Sequence, residues 1–341
     1  MAKGDSRRGR KKYRVRYDRL VVFLLIIVTI AVLASSCVNK IRGVDNKANA
    51  PEIPKTTTTA PNKEQQTTAP KTEDTTTSTL ETATSANAEF TTVTYAAEEA
   101  YKGDLVLVNN DCEYMFPEGD IDPITIVGNR NDYYQAGDYV TKLDKEVLEQ
   151  LNILMEDYAK AQGKTTTDVF VQDGFRTYDE QVRRHSEGKS KTFTAGHTDY
   201  HTGRTFDMFL MDSDSSTGYA YFTADEWFSK NCGTYGFILR YPEGKQEETG
   251  EKPRTYTYRY VGFPHASYIN EQQICFEEYI EKVKGHTIDE PLEFSANGQK
   301  FNVYFVPMAE NGGTDIPVPM NKTYTVSGSN AGGFIVTVAV D

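Results

Sequence analysis

The stretch AGHTDYHTGRTFD, residues 195–207, concentrates histidine, aspartate and tyrosine side chains around two glycines. It runs into the alternating segment RTFDMFL at 204–210, which predicts a strand that carries Asp207. Loops fixed at the end of a strand commonly hold the reactive groups of a protein. Whether this protein is an enzyme therefore depends on what this loop and Asp207 can bind.

Helical and strand patterns surround this loop. The strongest helix is predicted over Asp144–Gln162, whose apolar residues recur on one face. Thr177–Glu180 and Thr223–Glu226 have capping-box patterns that open helices, and Asn270 is predicted to cap a helix over 271–284. Strands are predicted at 104–110, 168–172, 204–210, 235–241, 256–262, 301–307 and 333–340. This mixture predicts an α+β fold with one main core and a small β appendage.

The N-terminal region predicts a membrane anchor. Residues 1–19 carry nine Lys and Arg against two Asp and Glu, and the run Leu20–Val38 has no charged side chain. Nineteen helical residues span about 28 Å, close to the thickness of a bilayer core. The excess of basic residues places the N-terminus in the cytoplasm and everything after Val38 outside the cell membrane. A cleaved signal peptide is one alternative, and ASSC at 34–37, which loosely resembles a lipoprotein cleavage box, indicates another.

A change of composition follows the apolar run. The segment from 39 to 88 is rich in threonine, contains proline and has almost no large apolar side chain. Such a segment cannot bury enough surface to offset its ordering entropy, so we expect a disordered stalk over 39–96 and folded sequence from residue 97. Beyond residue 19 the chain has 28 basic and 47 acidic side chains. This acidic balance argues against nucleic acid as a partner.

The four cysteines define no recognisable site. Cys37, Cys112, Cys232 and Cys275 have the spacing of neither a zinc knuckle nor a disulfide framework. A location outside the cell would permit one disulfide, and the sequence does not select a pair. Buried free thiols remain an equal alternative.

Several separated motifs agree on one family. In chain order they are DGFRTYDEQ (173–181), HTG (201–203) with Asp207, YGFILRYPEGK (235–245), TG (249–250) and YRYVGFPHASYINEQQICFEEYI (258–280). Together they resemble the VanY-like D-alanyl-D-alanine carboxypeptidases, zinc peptidases of the LAS type that trim peptidoglycan stem peptides. The resemblance covers roughly residues 100–341. It implies a VanY/LAS-like core at 97–285 and a small C-terminal β extension at 286–341.

The resemblance also implies a specific site. The family holds zinc with a histidine seven residues before an aspartate, with that aspartate, and with a second histidine; a glutamate three residues before the second histidine is the general base. Here Asp207 is retained, but Tyr200 and Thr257 stand at the two histidine positions and Arg254 stands at the glutamate position. Arg176 is retained at the position that steadies the substrate and the developing oxyanion.

Two further positions of the family pattern would face the cleft. Gln181 is retained, and Thr198 replaces a serine. We expect both to contact a bound peptide.

The replacements remove the atoms that a catalytic zinc requires. Thr257 offers a neutral hydroxyl, and Tyr200 would have to ionise from a pKa of about 10. Arg254 cannot accept a proton and so cannot be a general base. We therefore expect no cofactor, and we predict that Arg254 pairs with Asp207. A displaced zinc site built from Asp207 with His197 or His201 is the alternative.

Three functions are compatible with these observations. The first is an inactive VanY-like domain outside the cell that binds peptidoglycan stem peptides or regulates a wall enzyme. The second is an active zinc D,D-carboxypeptidase that trims terminal D-Ala with an altered metal site. The third is a structural interaction module without a peptide ligand. Zinc content separates the second from the others, and titration with a D-Ala-D-Ala peptide separates the first from the third.

Overall fold

A computed structural model of the chain describes residues 89–165, 167–212, 216–221 and 225–340. The predicted cytoplasmic segment 1–19, the anchor 20–38 and the stalk as far as residue 88 lie outside the described residues, as does Cys37. Within the described part, every helix is too short or too polar to cross a bilayer. Cys112, Cys232 and Cys275 are free thiols.

The described part is a mixed α+β structure. The helices are α1 (Lys145–Ala161), α2 (Tyr178–Ser186), α3 (Glu226–Asn231), α4 (Gln246–Thr249), α5 (His265–Gln272) and α6 (Phe276–Lys284). The strands are β1 (Phe90–Tyr95), β2 (Pro123–Thr125), β3 (Gln135–Ala136), β4 (Lys142–Asp144), β5 (Val169–Gln172), β6 (Thr205–Met211), β7 (Tyr219–Ala220), β8 (Phe237–Tyr241), β9 (Arg254–Tyr260), β10 (Leu292–Ala296), β11 (Gln299–Pro307), β12 (Thr314–Pro319), β13 (Tyr324–Gly328) and β14 (Gly333–Val340). Single 3₁₀ turns lie at Ala97–Tyr101, Asp199–Thr202 and Cys232–Tyr235.

The central sheet has the strand order β3-β5-β6-β9-β8, with β7 paired to the far end of β6. Strands β3 and β5 are parallel and the other neighbours are antiparallel. Helix α1 packs on one face of this sheet and confirms the predicted helix: the Asp144 carboxylate caps it by accepting the Glu146 N–H at 3.1 Å. The residues of the predicted apolar face are all buried: Val147, Leu148, Leu151, Leu154, Met155 and Tyr158.

The alternation of side chains along β5 and β6 decides where the site lies. Val171 on β5, and Phe206 and Met208 on β6, are buried in the core beneath α1. Successive strand residues point to opposite faces, so Gln172 and Asp207 project from the face that α1 does not cover. These two residues are direct cross-strand neighbours.

The C-terminal segment forms a second sheet with the order β10-β11-β14-β13. This sheet does not form an independent appendage. Val303 on β11 and Ile335 on β14 share one core with Ile238 of the central sheet and with the apolar faces of α5 and α6. The expected boundary near residue 285 is therefore a change of sheet and not a break between cores.

The predicted beginning of the folded region is wrong by several residues. Phe90–Tyr95, assigned to the stalk, forms β1 and pairs antiparallel with β12 over all six of its residues. The physical reason lies in its sequence FTTVTY, whose β-branched and aromatic residues favour an extended strand. Val93 and Tyr95 pack on a small core that also contains Ile316 of β12.

The strand predicted at 104–110 is also absent. Leu105, Val106, Leu107 and Val108 are buried as expected of a strand, but they lie in irregular backbone. Arg259 donates to the carbonyl oxygens of residues 104 and 106, and Arg240 donates to that of residue 108. Guanidinium groups thus satisfy buried carbonyls that a neighbouring strand would otherwise satisfy.

The helix predicted over 271–284 is divided. Chain reversal at Gln273, which has a φ of 54°, ends α5, and α6 begins only after Cys275. Asn270 therefore lies inside α5 and does not cap a helix; its side-chain amide donates to the carbonyl oxygen of Phe237 at 3.2 Å. The Glu278 carboxylate accepts the Cys275 N–H at 2.8 Å and so helps to begin α6.

Candidate functional site

The loop before β6 is held in a tight turn. The 3₁₀ turn Asp199–Thr202 ends at Gly203, whose φ of 67° lies in the left-handed region that favours glycine. The carbonyl oxygen of Gly203 accepts the N–H of Asp144 at 2.9 Å, which ties the loop to the start of α1. The turn directs the side chain of Tyr200 back toward β6.

Tyr200, Asp207 and Thr257 meet at the centre of the site. The Tyr200 hydroxyl donates to Oδ1 of Asp207 at 2.5 Å, and the Thr257 hydroxyl donates to the same oxygen at 2.7 Å. Thr257 lies directly opposite Asp207 in the register of β6 and β9. Tyr200 and Thr257 are fully buried, and Asp207 is 5% exposed. The structure therefore brings together the three positions that the resemblance assigned to the zinc ligands.

Burial controls the ionisation of this group. Loss of solvent raises the pKa of Asp207 to about 6, although the two hydroxyl donors favour its charged form. Burial, together with the negative charge of Asp207, raises the pKa of Tyr200 well above its ordinary value of 10. Tyr200 is thus a neutral phenol, which acts as a hydrogen-bond donor and not as an anionic ligand.

These residues do not fit the zinc site that the resemblance implies. Asp207 supplies one carboxylate. Its Oδ1 already accepts hydrogen bonds from two hydroxyl groups, and their protons lie where a cation would have to bind. Catalytic zinc takes three protein ligands of imidazole, carboxylate or thiolate type. Among residues 89–340, leaving aside the undescribed gaps, no group of three or more such side chains is arranged around a common point.

The histidines of the loop do not restore that set. Nδ1 of His201 lies 2.6 Å from the carbonyl oxygen of Arg176, and its Nε2 accepts the N–H of Gly196 at 3.1 Å. Burial lowers the pKa of His201 to about 4, so the ring is neutral with both nitrogens engaged. His197 contacts the carbonyl oxygen of Asn109 through Nδ1 at 2.9 Å. These ring nitrogens contact backbone groups and not Asp207.

Arg254 does not make the ion pair that we predicted. Asp207 has hydroxyl partners instead, because Tyr200 and Thr257 reach it within the sheet and loop. The one carboxylate among the described residues within 4 Å of the Arg254 guanidinium is that of Glu251, at 3.9 Å from Nε. The guanidinium carbon lies 4.9 Å from the centre of the Phe193 ring. Arg254 still lies close enough to Asp207 to lower the pKa of that carboxyl.

Arg176 and Gln181 lie beside this group. The Arg176 guanidinium carbon lies 3.8 Å above the Tyr200 ring, and Nη1 donates to Oε1 of Gln181 at 3.2 Å. Nη2 lies 3.2 Å from a carboxylate oxygen of Asp173. The amide nitrogen of Gln181 donates to the carbonyl oxygen of Phe193 at 2.7 Å, so Gln181 mainly holds the walls of the pocket together.

Two polar atoms at this place have no partner. Nε of Arg176 and Oγ1 of Thr198 are buried and make no hydrogen bond in the structure. Thr198 is fully buried and Arg176 is 5% exposed. A buried donor left without a partner costs about 1–3 kcal/mol, so a bound acceptor that reached either atom would be stabilised there.

The sequence did not reveal the ionic network beneath the loop. Asp199 accepts from Arg240 at 2.6 Å and also from Arg259, and the Arg240 guanidinium forms two hydrogen bonds to Glu277. Both arginines and Asp199 are fully buried. Arginines on two adjacent strands, at positions where apolar residues are usual, were the available signal. The network fixes the loop that carries Tyr200.

The same face of the sheet carries a row of aromatic rings. Phe209, two residues after Asp207 on β6, stacks on Phe170 at 5.3 Å and on Tyr256 at 5.1 Å between ring centres. Tyr221 continues the row and is 40% exposed. The sequence analysis did not predict this row, because its rings come from four strands or their flanks.

Comparison with known proteins identifies a family model and relatives that match parts of this chain. Residues 140–263 match the family model VanY, described as D-alanyl-D-alanine carboxypeptidase. A D-alanyl-D-alanine carboxypeptidase of Enterococcus faecium is 30% identical over 260 residues, which cover 75% of this chain and 80% of that protein. A bifunctional D-Ala-D-Ala dipeptidase and carboxypeptidase, VanXYC of Enterococcus gallinarum, is 34% identical over 125 residues, 33% of this chain and 66% of that protein.

A solved structure shares the fold. The crystal structure of the vancomycin resistance D,D-dipeptidase VanXYg, in complex with a D-Ala-D-Ala phosphinate analogue, superimposes with a TM-score of 0.62. The two chains are 24% identical, and the superposition covers 74% of this chain and 100% of that chain. This likeness supports the VanY/LAS-like arrangement of the core.

Proposed function

The chain belongs to the VanY-like D-alanyl-D-alanine carboxypeptidase family, and we propose that it is a non-hydrolytic member. In this proposal it binds peptidoglycan stem peptides or regulates a wall enzyme. The observation that carries this proposal is the pair of hydroxyl groups on Oδ1 of Asp207, from Tyr200 and Thr257. They stand where the family pattern has its two histidines.

Hydrolysis would also require a group that removes a proton from the attacking water. The family pattern has a glutamate at the position of Arg254. A guanidinium keeps its proton at any physiological pH, so it cannot perform this step. Asp207 is buried and already accepts two hydrogen bonds, which leaves it poorly placed to activate a water. The residues present therefore favour binding over cleavage.

The binding role is supported by the unpaired donors of the pocket. Nε of Arg176 and Oγ1 of Thr198 can each donate to a carbonyl or carboxylate oxygen of a peptide. An oxygen bound to either atom would satisfy a buried donor, and neither side chain would have to give up an existing hydrogen bond of that atom. Gln181 and the Tyr200 ring hold the Arg176 side chain in place for this contact.

We also propose that the domain works outside the cell at the membrane surface. The basic segment 1–19 and the uncharged run at 20–38 support a single-pass anchor, and the threonine-rich segment supports a spacer. Protease treatment of intact cells tests the orientation. Protection of the folded region from added protease would contradict it.

The hydrolysis question is tested by metal analysis and by a D-alanine release assay on the purified protein. We expect substoichiometric zinc and no release from a peptide ending in D-Ala-D-Ala. About one zinc per chain together with release would refute the proposal and favour the alternative of an active zinc carboxypeptidase.

The binding question is tested by titration with the same peptide. Thr198→Val removes a buried unpaired hydroxyl and keeps the shape, so we expect equal or higher stability but binding weakened about fivefold or more. Arg183→Ala is the matched surface control, because the Arg183 side chain is 66% exposed. Absence of binding by the unaltered protein would favour a structural interaction module instead.

A further inference from the structure

Arg254 differs from the other arginines of the site region. Arg204 and Arg240 each have a carboxylate oxygen within 2.9 Å. The nearest carboxylate oxygen to Arg254 belongs to Glu251 and lies 3.9 Å from Nε, the nitrogen nearest to the chain. No hydrogen bond of the described residues involves the Arg254 guanidinium, so its two terminal nitrogens are free to donate.

The Arg254 side chain is nevertheless held in position. Its guanidinium carbon lies 4.9 Å from the centre of the Phe193 ring and 5.9 Å from that of Tyr256. Both rings attract the cation through their faces. The side chain is 26% exposed, so part of it is accessible from solvent. A guanidinium that is held by aromatic rings and lacks a hydrogen-bond partner is preorganised for a carboxylate, which it can bind through two parallel hydrogen bonds.

Arg254 and Arg176 lie on neighbouring rings: Arg176 stacks on Tyr200, and the Tyr200 ring packs at 6.3 Å from the Phe193 ring that Arg254 contacts. The charges of both guanidinium groups also act to lower the pKa of the Tyr200 hydroxyl. Arg176 is largely committed to partners, since its terminal nitrogens contact Gln181 and Asp173. Only its Nε is free. Of the two arginines, Arg254 alone has a complete fork available for a ligand.

We propose that Arg254 is the carboxylate anchor of the pocket. The terminal carboxylate of a bound peptide accepts hydrogen bonds from the Arg254 fork. Nε of Arg176 and Oγ1 of Thr198 donate to oxygens nearer the N-terminus of the peptide. This inference rests on the proposed function and names its ligand class: peptides with a free C-terminal carboxylate. Peptides that end in an amide lack the charge that Arg254 binds.

The test compares N-acetyl-D-alanyl-D-alanine with its C-terminal amide, titrated calorimetrically into the full chain. We expect the unaltered protein to bind the acid about tenfold or more tightly than the amide, since a charge-assisted bidentate contact is lost. Arg254→Gln should weaken binding of the acid by a similar factor and leave binding of the amide unchanged. Arg254→Lys, which keeps the charge without the fork, should be intermediate.

Arg183→Gln is the matched control, because it removes the same charge from an exposed position and should bind both peptides like the unaltered protein. Persistence of the preference for the acid in Arg254→Gln, or equal binding of acid and amide by the unaltered protein, overturns the anchor and leaves the proposed function standing. Failure of the unaltered protein to bind either peptide overturns both. If Arg254→Gln melts abnormally, the unaltered protein and Arg254→Lys decide the question.

Discussion

Replacing Asp207 with asparagine should stabilise the protein at neutral pH. Burial raises the pKa of this carboxyl from 3.8 to about 6, so the folded state binds the proton more tightly than the unfolded chain does. The favourable contribution of the carboxyl is therefore complete below about pH 4 and is lost as the pH rises toward 6. A difference of roughly two pKa units corresponds to about 3 kcal/mol of stability missing at pH 7.5.

The asparagine side chain keeps the shape and one acceptor oxygen. The hydroxyl groups of Tyr200 and Thr257 can donate to it as they now donate to Oδ1. We expect Asp207→Asn to be more stable than the unaltered protein by about 2–3 kcal/mol at pH 7.5, a rise of roughly 5–10 °C in melting temperature for a domain of this size. The difference should vanish near pH 4. Thermal and urea unfolding at pH 7.5, 5.5 and 4 measure it.

Asp168→Asn is the control, because that carboxylate is 68% exposed and should give little change at any pH. Two results would show that the charge of Asp207 does not destabilise the fold. One is a variant less stable than the unaltered protein at pH 7.5, and the other is a stability difference that does not depend on pH. Stabilisation of the unaltered protein, but not of the variant, by added zinc would show that the carboxylate serves a metal.

Three other changes test separate parts of the structure. Tyr200→His combined with Thr257→His should complete a three-ligand set with Asp207 and give about one bound zinc per chain by metal analysis; a folded variant without zinc would contradict the assignment of these positions. Asp199→Asn should destabilise the fold by about 3–5 kcal/mol in urea unfolding, since it leaves buried arginines without their shared carboxylate. A loss of less than about 1 kcal/mol would show that the network does not stabilise the fold. A chain that begins at residue 97 lacks β1 and should melt several degrees lower than one that begins at residue 88. It should also aggregate more, as measured by light scattering, because the edge of β12 is exposed. Equal melting and scattering would show that β1 does not stabilise the fold.

Periodicity predicted the parts of the fold whose local and tertiary preferences agree. Helix α1 begins and ends within one residue of its prediction, because its apolar stripe is the stripe that packs on the sheet. The trio at the site was also predictable. The resemblance to the family pattern related Tyr200 and Thr257 to Asp207, and the pairing of β6 with β9 places Thr257 opposite that aspartate.

The remaining features depend on partners that are distant in the sequence. The buried run at 104–108 has the composition of a strand, but the arginines that satisfy its carbonyl oxygens lie more than a hundred residues away. Arg254 was expected to neutralise Asp207, yet two hydroxyl donors already satisfy that carboxylate. Composition assigned β1 to the stalk, since nothing near it in the sequence reveals its pairing with β12.

The two hydroxyl groups that share one oxygen of Asp207 also bear on the evolutionary history of the pocket. A return to histidine at Tyr200 alone, or at Thr257 alone, would give two protein ligands, whereas a catalytic zinc takes three. Each single step gives up a hydrogen bond to a buried carboxylate and gains no metal. Under the proposed non-hydrolytic function, selection that acts on one substitution at a time would therefore meet no advantageous intermediate on the way back to metal binding.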